Sequence, residues 1–100
     1  MLASHTYFET SLASRYLGQL CKHFAHRVEA SCTETEGQVA LEPGPATFAA
    51  DREGLSIVVT GRDASAIEVA RMTIEEHLHL YAFKEEPDAL LWSDPISLSE

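Results

Sequence analysis

The feature that most constrains the fold is a run of four short segments in which apolar and polar residues alternate. These segments cover residues 28–33, 38–42, 46–51 and 55–60. Turns containing glycine or proline separate them, at residues 36–37, 43–45 and 53–54. Alternation is typical of strands with one buried face, and the short spacing predicts an antiparallel meander. In the last segment, Leu55, Ile57 and Val59 form the predicted inward face.

Two amphipathic segments flank this meander and are predicted to be helices. The first covers residues 12–26 with Ser11 as its N-cap, and the second covers residues 64–83 with Asp63 as its N-cap. Helical spacing gives each of them an apolar face. On the first helix that face consists of Ala13, Leu17, Leu20, Cys21, Phe24 and Val28. On the second it consists of Ile67, Ala70, Ile74, Leu78 and Tyr81.

Two further strands complete the predicted order of elements. Residues 5–10 are rich in Thr, Tyr and Phe, and residues 89–92 form a short apolar run. The resulting order is β-α-β-β-β-β-α-β. Because two amphipathic helices need one apolar sheet face to cover, we expect an α+β two-layer sandwich. Its sheet is predicted to be mostly antiparallel, with both helices on one face.

Length and charge restrict the classes of protein that fit. The 100 residues predict a single domain over 1–100, with residues 93–100 as a frayed tail. Sixteen acidic against seven basic residues give a net charge of −9, which disfavours nucleic acid and anionic lipid as partners. There is no apolar run of about 20 residues and no signal-peptide pattern at the start. We therefore expect a cytoplasmic protein with no membrane or nucleic-acid partner.

The cysteines bear on the redox environment. Cys21 and Cys32 are the two cysteines of the chain. A chain long enough to build a core does not need a disulfide, so reduced thiols in a cytosol are favoured. Cys21 is then a buried residue of the first helix, and Cys32 a core residue of a strand. A single Cys21–Cys32 bridge is the alternative.

The histidines are the most chemically suggestive residues. At about 100° per residue, His23 and His26 lie roughly 60° apart on the first helix and can share a ligand. His77 borders the core face of the second helix. If the helices pack side by side, these three residues form a metal site, since neutral imidazoles suit Zn, Cu, Ni or Fe. Arg15 and Lys22 would offer positive charge to an anionic ligand. Alternatively, the same histidines are structural and form hydrogen bonds between the helices.

Two blocks of sequence resemble a known family. Residues 10–27 (TSLASRYLGQLCKHFAHR) and residues 77–83 (HLHLYAF), together with Trp92, are similar to the two signatures of DUF2218. That family contains small bacterial proteins whose function is unknown. The resemblance covers nearly the whole chain and implies no particular activity. It implies that the positions of Arg15, His23, His26 and His77 belong to the family pattern.

Two functional hypotheses follow. The first is a binding or accessory module that holds a transition metal, haem or an iron chelate near His23, His26 and His77. The second is an accessory protein that binds another protein through its surface and has structural histidines and no small ligand. An enzyme is not favoured, because no catalytic motif is visible in the chain.

Overall fold

The computed structural model describes residues 1–85 and 90–98 and confirms the predicted α+β order. The strands are β1 (Leu2–Glu9), β2 (Ala30–Cys32), β3 (Glu36–Val39), β4 (Ala46–Ala50), β5 (Gly54–Gly61) and β6 (Ile96–Ser97). The helices are α1 (Ala13–Phe24) and α2 (Ala64–Tyr81), and a 3₁₀ turn (Phe83–Glu85) follows α2. The observed elements are mostly shifted by a few residues at their ends from the predicted ones.

One antiparallel sheet contains all of these strands, in the order β2-β3-β4-β5-β1-β6. Strands β1 and β5 pair along their full lengths, with Ser4 opposite Val59. The predicted inward face of β5 is confirmed, because Leu55, Ile57 and Val59 are fully buried. The two longest strands, β1 and β5, thus lie side by side although they are far apart in the sequence.

Both helices cover the inward face of this sheet. The buried residues of α1 are Ala13, Tyr16, Leu17, Leu20, Cys21 and Phe24. Those of α2 are Ile67, Ala70, Ile74 and Leu78. These sets confirm the predicted core faces, except that Tyr16 is buried while Val28 and Tyr81 are only partly buried. Among the described residues, neither helix combines the length and the apolar character needed to cross a membrane.

The starts of the two helices differ in how their first N–H groups are satisfied. The Asp63 carboxylate accepts from the Ala66 N–H at 2.9 Å, so the predicted cap of α2 is confirmed. The predicted cap of α1 is wrong, because Leu12 takes that position and provides no side-chain bond. The Thr10 hydroxyl instead accepts from the Leu12 N–H at 3.0 Å. The hydroxyl of the residue before Ser11 thus takes the role predicted for Ser11.

The C-terminal segment departs from the predicted strand and frayed tail. Ala89 lies outside the described residues, and residues 90–92 are not a strand. The last strand is β6, which pairs with β1, and the Ser93 N–H donates to the His5 carbonyl at 2.7 Å. The physical reason lies in β1, where the inward hydroxyls of Ser4 and Thr6 need partners in the core. They donate to the carbonyls of Ser93 and Leu91, which holds this part of the tail against the sheet.

Candidate functional site

A cleft of about 900 Å³ opens between the C-terminal end of α1 and α2. The loop that joins β3 to β4 forms its third side. Its apolar lining consists of Phe24, Val28, Leu41, Pro43, Ala66 and Val69. Its volume falls within the range of about 300–1,000 Å³ that is common for small-molecule sites. The cleft therefore has room for a ligand of cofactor size.

His23 and His77 meet inside this cleft. The centroids of their imidazole rings are 4.5 Å apart, and the ring planes are inclined by 42°. The His77 ring also packs edge-on against Phe24, with centroids 5.1 Å apart. The helices thus pack side by side, as the histidine hypothesis required.

A hydrogen bond within α2 orients His77. Its Nδ1 lies 2.6 Å from the Thr73 carbonyl oxygen, one turn earlier in the helix. Because a carbonyl oxygen can only accept, Nδ1 carries the hydrogen and donates it. In the neutral ring, Nε2 is then left with its lone pair available. Metal-binding histidines commonly have one nitrogen held in this way while the other binds the metal.

Burial and nearby positive groups favour the neutral form of His23. Burial lowers the pKa of the His23 imidazole, and the nearby His77, Arg27 and His26 lower this pKa further. A buried base loses hydration when it is charged, and neighbouring positive charges also disfavour its protonation. Since a metal binds the neutral imidazole, the lowered pKa extends the pH range in which His23 can act as a ligand.

The third predicted histidine lies apart from this pair. His26 is exposed just beyond the end of α1, and it affects His23 through its charge. Across residues 1–85 and 90–98, no three side chains of His, Cys, Asp or Glu are grouped so that they could hold a metal ion. The structure therefore brings together a pair of imidazoles, and His26 stands outside the cleft lining.

The positive charges of the cleft come from residues that the sequence reasoning missed. Arg15 and Lys22 are exposed on α1 and do not line the cleft. Arg27 and Arg62 do line it. Neither of these two guanidinium groups has an ion pair or hydrogen bond within the described residues. A signal was available in the sequence, since Arg27 follows His26 directly and Arg62 precedes the N-cap Asp63.

The cleft also contains acidic groups. Glu42 and Asp63 are part of its lining. The Asp63 carboxylate accepts a hydrogen bond at the start of α2, which directs its charge toward the helix backbone. The guanidinium groups of Arg27 and Arg62, which have no partner among the described residues, are thus the charges available to a ligand on the side of α1 and the start of α2.

A disulfide joins Cys21 to Cys32 next to the cleft. Their Cα atoms are 6.5 Å apart, within the usual span of about 4.4–6.8 Å for such bridges. The favoured prediction of reduced thiols is wrong, and the alternative pairing is confirmed. The predicted core position of Cys32 is also wrong, because β2 is an edge strand and Cys32 is exposed on it. Cys21 is buried, as predicted.

The fold and the cleft define a class of protein, a two-layer α+β domain with paired histidines between its helices. The chain belongs to the DUF2218 family, described as an uncharacterised protein conserved in bacteria, which matches residues 5–93. An NMR structure of PA4090 from Pseudomonas aeruginosa is similar, with a TM-score of 0.77 and 21% sequence identity. The alignment covers 93% of this chain and 96% of that chain, and it shows a shared fold. No curated protein matches the chain.

Proposed function

We propose that this protein is a binding module for haem or an iron chelate, held in the cleft by His23 and His77. The observation that carries the proposal is the orientation of His77, whose Nδ1 is held by the Thr73 carbonyl. This bond leaves Nε2 as the nitrogen available to a metal, beside a second imidazole 4.5 Å away. Haem iron is commonly held by a histidine of this kind.

The number of protein ligands favours a chelated metal over a bare ion. A structural zinc site needs four protein ligands, and catalytic sites have three. The described residues provide no group of three. Haem or an iron chelate brings most of its own ligand atoms, so one or two imidazoles are enough to complete the coordination. His26 belongs to the proposed site through its charge, and we expect its substitution to affect binding less than that of His23 or His77.

The other parts of the cleft suit an anionic ligand with an apolar body. Phe24, Leu41 and Val69 provide apolar contact surface. Arg27 and Arg62 have guanidinium groups with no partner in the described part of the chain, and such groups are suited to two-point hydrogen bonds with carboxylates. Haem has an apolar ring system with two carboxylates, and many iron chelates are carboxylated. The cleft thus complements both components of such a ligand.

The test is a titration of the untagged protein with ferric haem, followed by absorption in the Soret region. We expect a stoichiometric complex with a spectrum typical of histidine ligation. His77→Ala should weaken binding at least about tenfold, equivalent to about 1.4 kcal/mol. His5→Ala is the matched control, since His5 lies on β1 and does not line the cleft. The proposal fails if the double variant His23→Ala/His77→Ala binds haem and ferric citrate as the wild type does.

A second candidate is a protein-interaction module with structural histidines. The edge-on contacts of Phe24 with His23 and His77 favour it, because they are typical of packed rings. Outside the cleft lining, α2 also exposes apolar side chains, with Met72 60% and Leu80 63% exposed. This candidate predicts that His77→Ala lowers the melting temperature and that no ligand binds. A melting temperature equal to that of the wild type would contradict it.

A further inference from the structure

The Cys21–Cys32 disulfide encloses the part of the chain that forms one wall of the cleft. Its two cysteines are 11 positions apart in the sequence. His23, Phe24, Arg27 and Val28 all lie between them and line the cleft. The bridge therefore fixes both ends of a short segment that supplies an imidazole and a guanidinium group to the site. This segment, residues 22–31, is called the cleft wall below.

The two cysteines of the bridge differ in burial and in the element that holds them. Cys21 is buried in the core face of α1, at 6% exposed. Cys32 is exposed on β2, a strand of three residues that, within residues 1–85 and 90–98, pairs with β3 alone. Gly37 faces Cys32 across this pairing, and a Cβ there would lie 3.1 Å from the Cys32 Sγ. A glycine at this position thus leaves room for the bridge, which connects the edge strand β2 to α1.

We propose that the Cys21–Cys32 disulfide is a redox-modification site, opened by dithiol reductants at Cys32, and that opening it loosens the cleft wall. Attack by a thiolate requires access to one sulfur atom along the line of the S–S bond. Cys32 is an exposed residue and Cys21 is a buried one, so we assign the attack to the Cys32 sulfur.

The chemistry is an ordinary two-step thiol–disulfide exchange. In the first step, one thiolate of the dithiol bonds to the Cys32 Sγ, the Cys21–Cys32 bond breaks, and Cys21 leaves as a thiolate that takes a proton from water. In the second step, the other thiolate of the dithiol attacks its partner sulfur and releases the Cys32 thiolate. The dithiol is oxidised to a disulfide, and the protein gains two electrons and becomes a pair of thiols.

Reduction should act locally because the rest of the fold does not depend on the bridge. The longest strand pair is β1–β5, and β3 and β4 separate it from β2 in the strand order. Without the bridge, the cleft wall is held by backbone bonds, such as the Val28 N–H to the Phe24 carbonyl and the Ala40 N–H to the Glu29 carbonyl, both 2.9 Å. Segments with few such ties open at low free energy. The effect on the ligand rests on the proposed function, whereas the effect on the cleft wall does not.

The first experiment measures amide hydrogen exchange by NMR in the air-oxidised protein and in the protein reduced with excess dithiothreitol. We expect exchange in residues 25–32 to be at least about tenfold faster after reduction, with less than a twofold change at Ile57 in β5. Cys32→Ser, prepared without reductant, should match the reduced protein. It replaces an exposed residue, and the amides of β5 report whether it is folded. Equal exchange in all three samples would overturn the inference.

The second experiment identifies the sulfur that is attacked. The oxidised protein is treated with the monothiol glutathione, quenched with acid and digested for mass spectrometry. The expected adduct is a mixed disulfide on Cys32. An adduct on Cys21, or two thiols that stay free after air oxidation, would overturn the inference.

Haem titrations of the oxidised wild type and of Cys32→Ser separate this inference from the proposed function. Haem binding at least about fivefold weaker in Cys32→Ser supports both. Faster exchange in the cleft wall with no haem binding in either protein supports the redox site and rejects the haem site. Equal haem affinity together with equal exchange supports the haem site and rejects the redox site.

Discussion

The imidazole rings of His23 and His77 lie 4.5 Å apart, one on each of the two helices that cover the sheet. Positive charge on His77 at this distance is one of the causes that lower the pKa of the His23 imidazole. The contact therefore links the charge state of His23 to the packing of α1 against α2.

The first prediction concerns the pH dependence of stability. An unfolded histidine has a pKa of about 6.5, and burial together with the nearby positive groups lowers the pKa of His23 in the folded state. The unfolded chain therefore binds the proton more readily. The contribution of His23 to the free energy of unfolding is fully present above pH ~6.5 and is lost as the pH falls through the folded pKa. Urea unfolding of the wild type from pH 8 to pH 5 measures this loss.

A comparison of variants isolates the contribution of His23 to this loss. His23→Gln should show a smaller fall in unfolding free energy than the wild type over the same pH range. His5→Gln is the matched control, since His5 is exposed on β1 and does not line the cleft, and it should keep the slope of the wild type. An identical slope in His23→Gln and the wild type would reject the prediction.

Patterns that depend on neighbouring residues could be predicted from the sequence. The alternation around Ile57 predicts that β5 faces the core. A cap such as Asp63 is also predictable, because its hydrogen-bond partner, the Ala66 N–H, is only three residues away. The meeting of His23 and His77 was conditional on helices packing side by side. The geometry of one helix cannot show how it lies against another, so only the structure establishes their contact.

The missed features depend on relationships beyond single elements. Arg27 and Arg62 lie outside the ends of α1 and α2, where a helical wheel does not place side chains. Cys32 was expected in the core because the alternation of residues 28–33 does not show that β2 is an edge strand. The tail from Ser93 is held by inward hydroxyls of β1, and a polar residue on a buried strand face gives no indication of which segment satisfies it.

The second prediction concerns the Glu85 carboxylate, which lies in the 3₁₀ turn after α2 and meets two buried residues, Tyr16 and Thr10. Glu85 accepts hydrogen bonds from the Tyr16 hydroxyl and, at 2.8 Å, from the Thr10 hydroxyl. Burial, followed by the bond to Glu85, raises the pKa of Tyr16 to about 12. Tyr16→Phe removes one bond to a charged acceptor, so we expect a loss of about 1.5 kcal/mol in the free energy of unfolding. Chemical denaturation at pH 7 measures it.

Tyr7 provides the matched control for this change. Its hydroxyl is 3.4 Å from Asp51 and its side chain is 40% exposed, so Tyr7→Phe should change stability by less than about 0.5 kcal/mol.

The raised pKa of Tyr16 adds a pH test. An unfolded tyrosine ionises near pH ~10, so the contribution of Tyr16 is complete below that pH and is lost as the pH rises toward the folded value. A loss at high pH that is equal in Tyr16→Phe and the wild type would contradict the assignment.

The third prediction concerns Arg71, which ties the C-terminal segment to the sheet. Its guanidinium donates to the Ser4 hydroxyl at 2.9 Å and to the Ser93 carbonyl at 2.8 Å. Arg71→Met keeps most of the side-chain length but removes these bonds, and we expect a loss of about 1–3 kcal/mol in unfolding free energy. Trp92, the single tryptophan, reports the change because its Nε1 donates to Glu75 nearby.

A red shift of the Trp92 emission in folded Arg71→Met would show that the segment has moved away from α2. Arg52→Met is the control, since Arg52 is exposed in the turn between β4 and β5. It should leave both the emission maximum and the stability within about 0.5 kcal/mol of the wild type. An unshifted emission in Arg71→Met would mean that the remaining bond from the Ser4 hydroxyl to the Ser93 carbonyl is sufficient.

The fourth prediction compares two pairs of positive residues that carry the same charge in different places. Arg27 and Arg62 line the cleft, whereas Arg15 and Lys22 are exposed on α1 outside it. If the cleft binds the carboxylates of haem, Arg27→Gln/Arg62→Gln should weaken haem binding at least about tenfold at about 0.15 M salt. Arg15→Gln/Lys22→Gln removes the same net charge and should change the affinity less than about twofold.

The dimethyl ester of haem makes this comparison specific for the carboxylates. It has the same ring and iron but lacks the two negative charges, so the guanidinium groups of Arg27 and Arg62 lose their partners. The ester should therefore bind the wild type and Arg27→Gln/Arg62→Gln with equal affinity, while His77→Ala should still weaken its binding because the iron needs an imidazole. If Arg15→Gln/Lys22→Gln is instead the variant that loses affinity for haem, the anion lies along the outer face of α1, and the cleft is not its binding site.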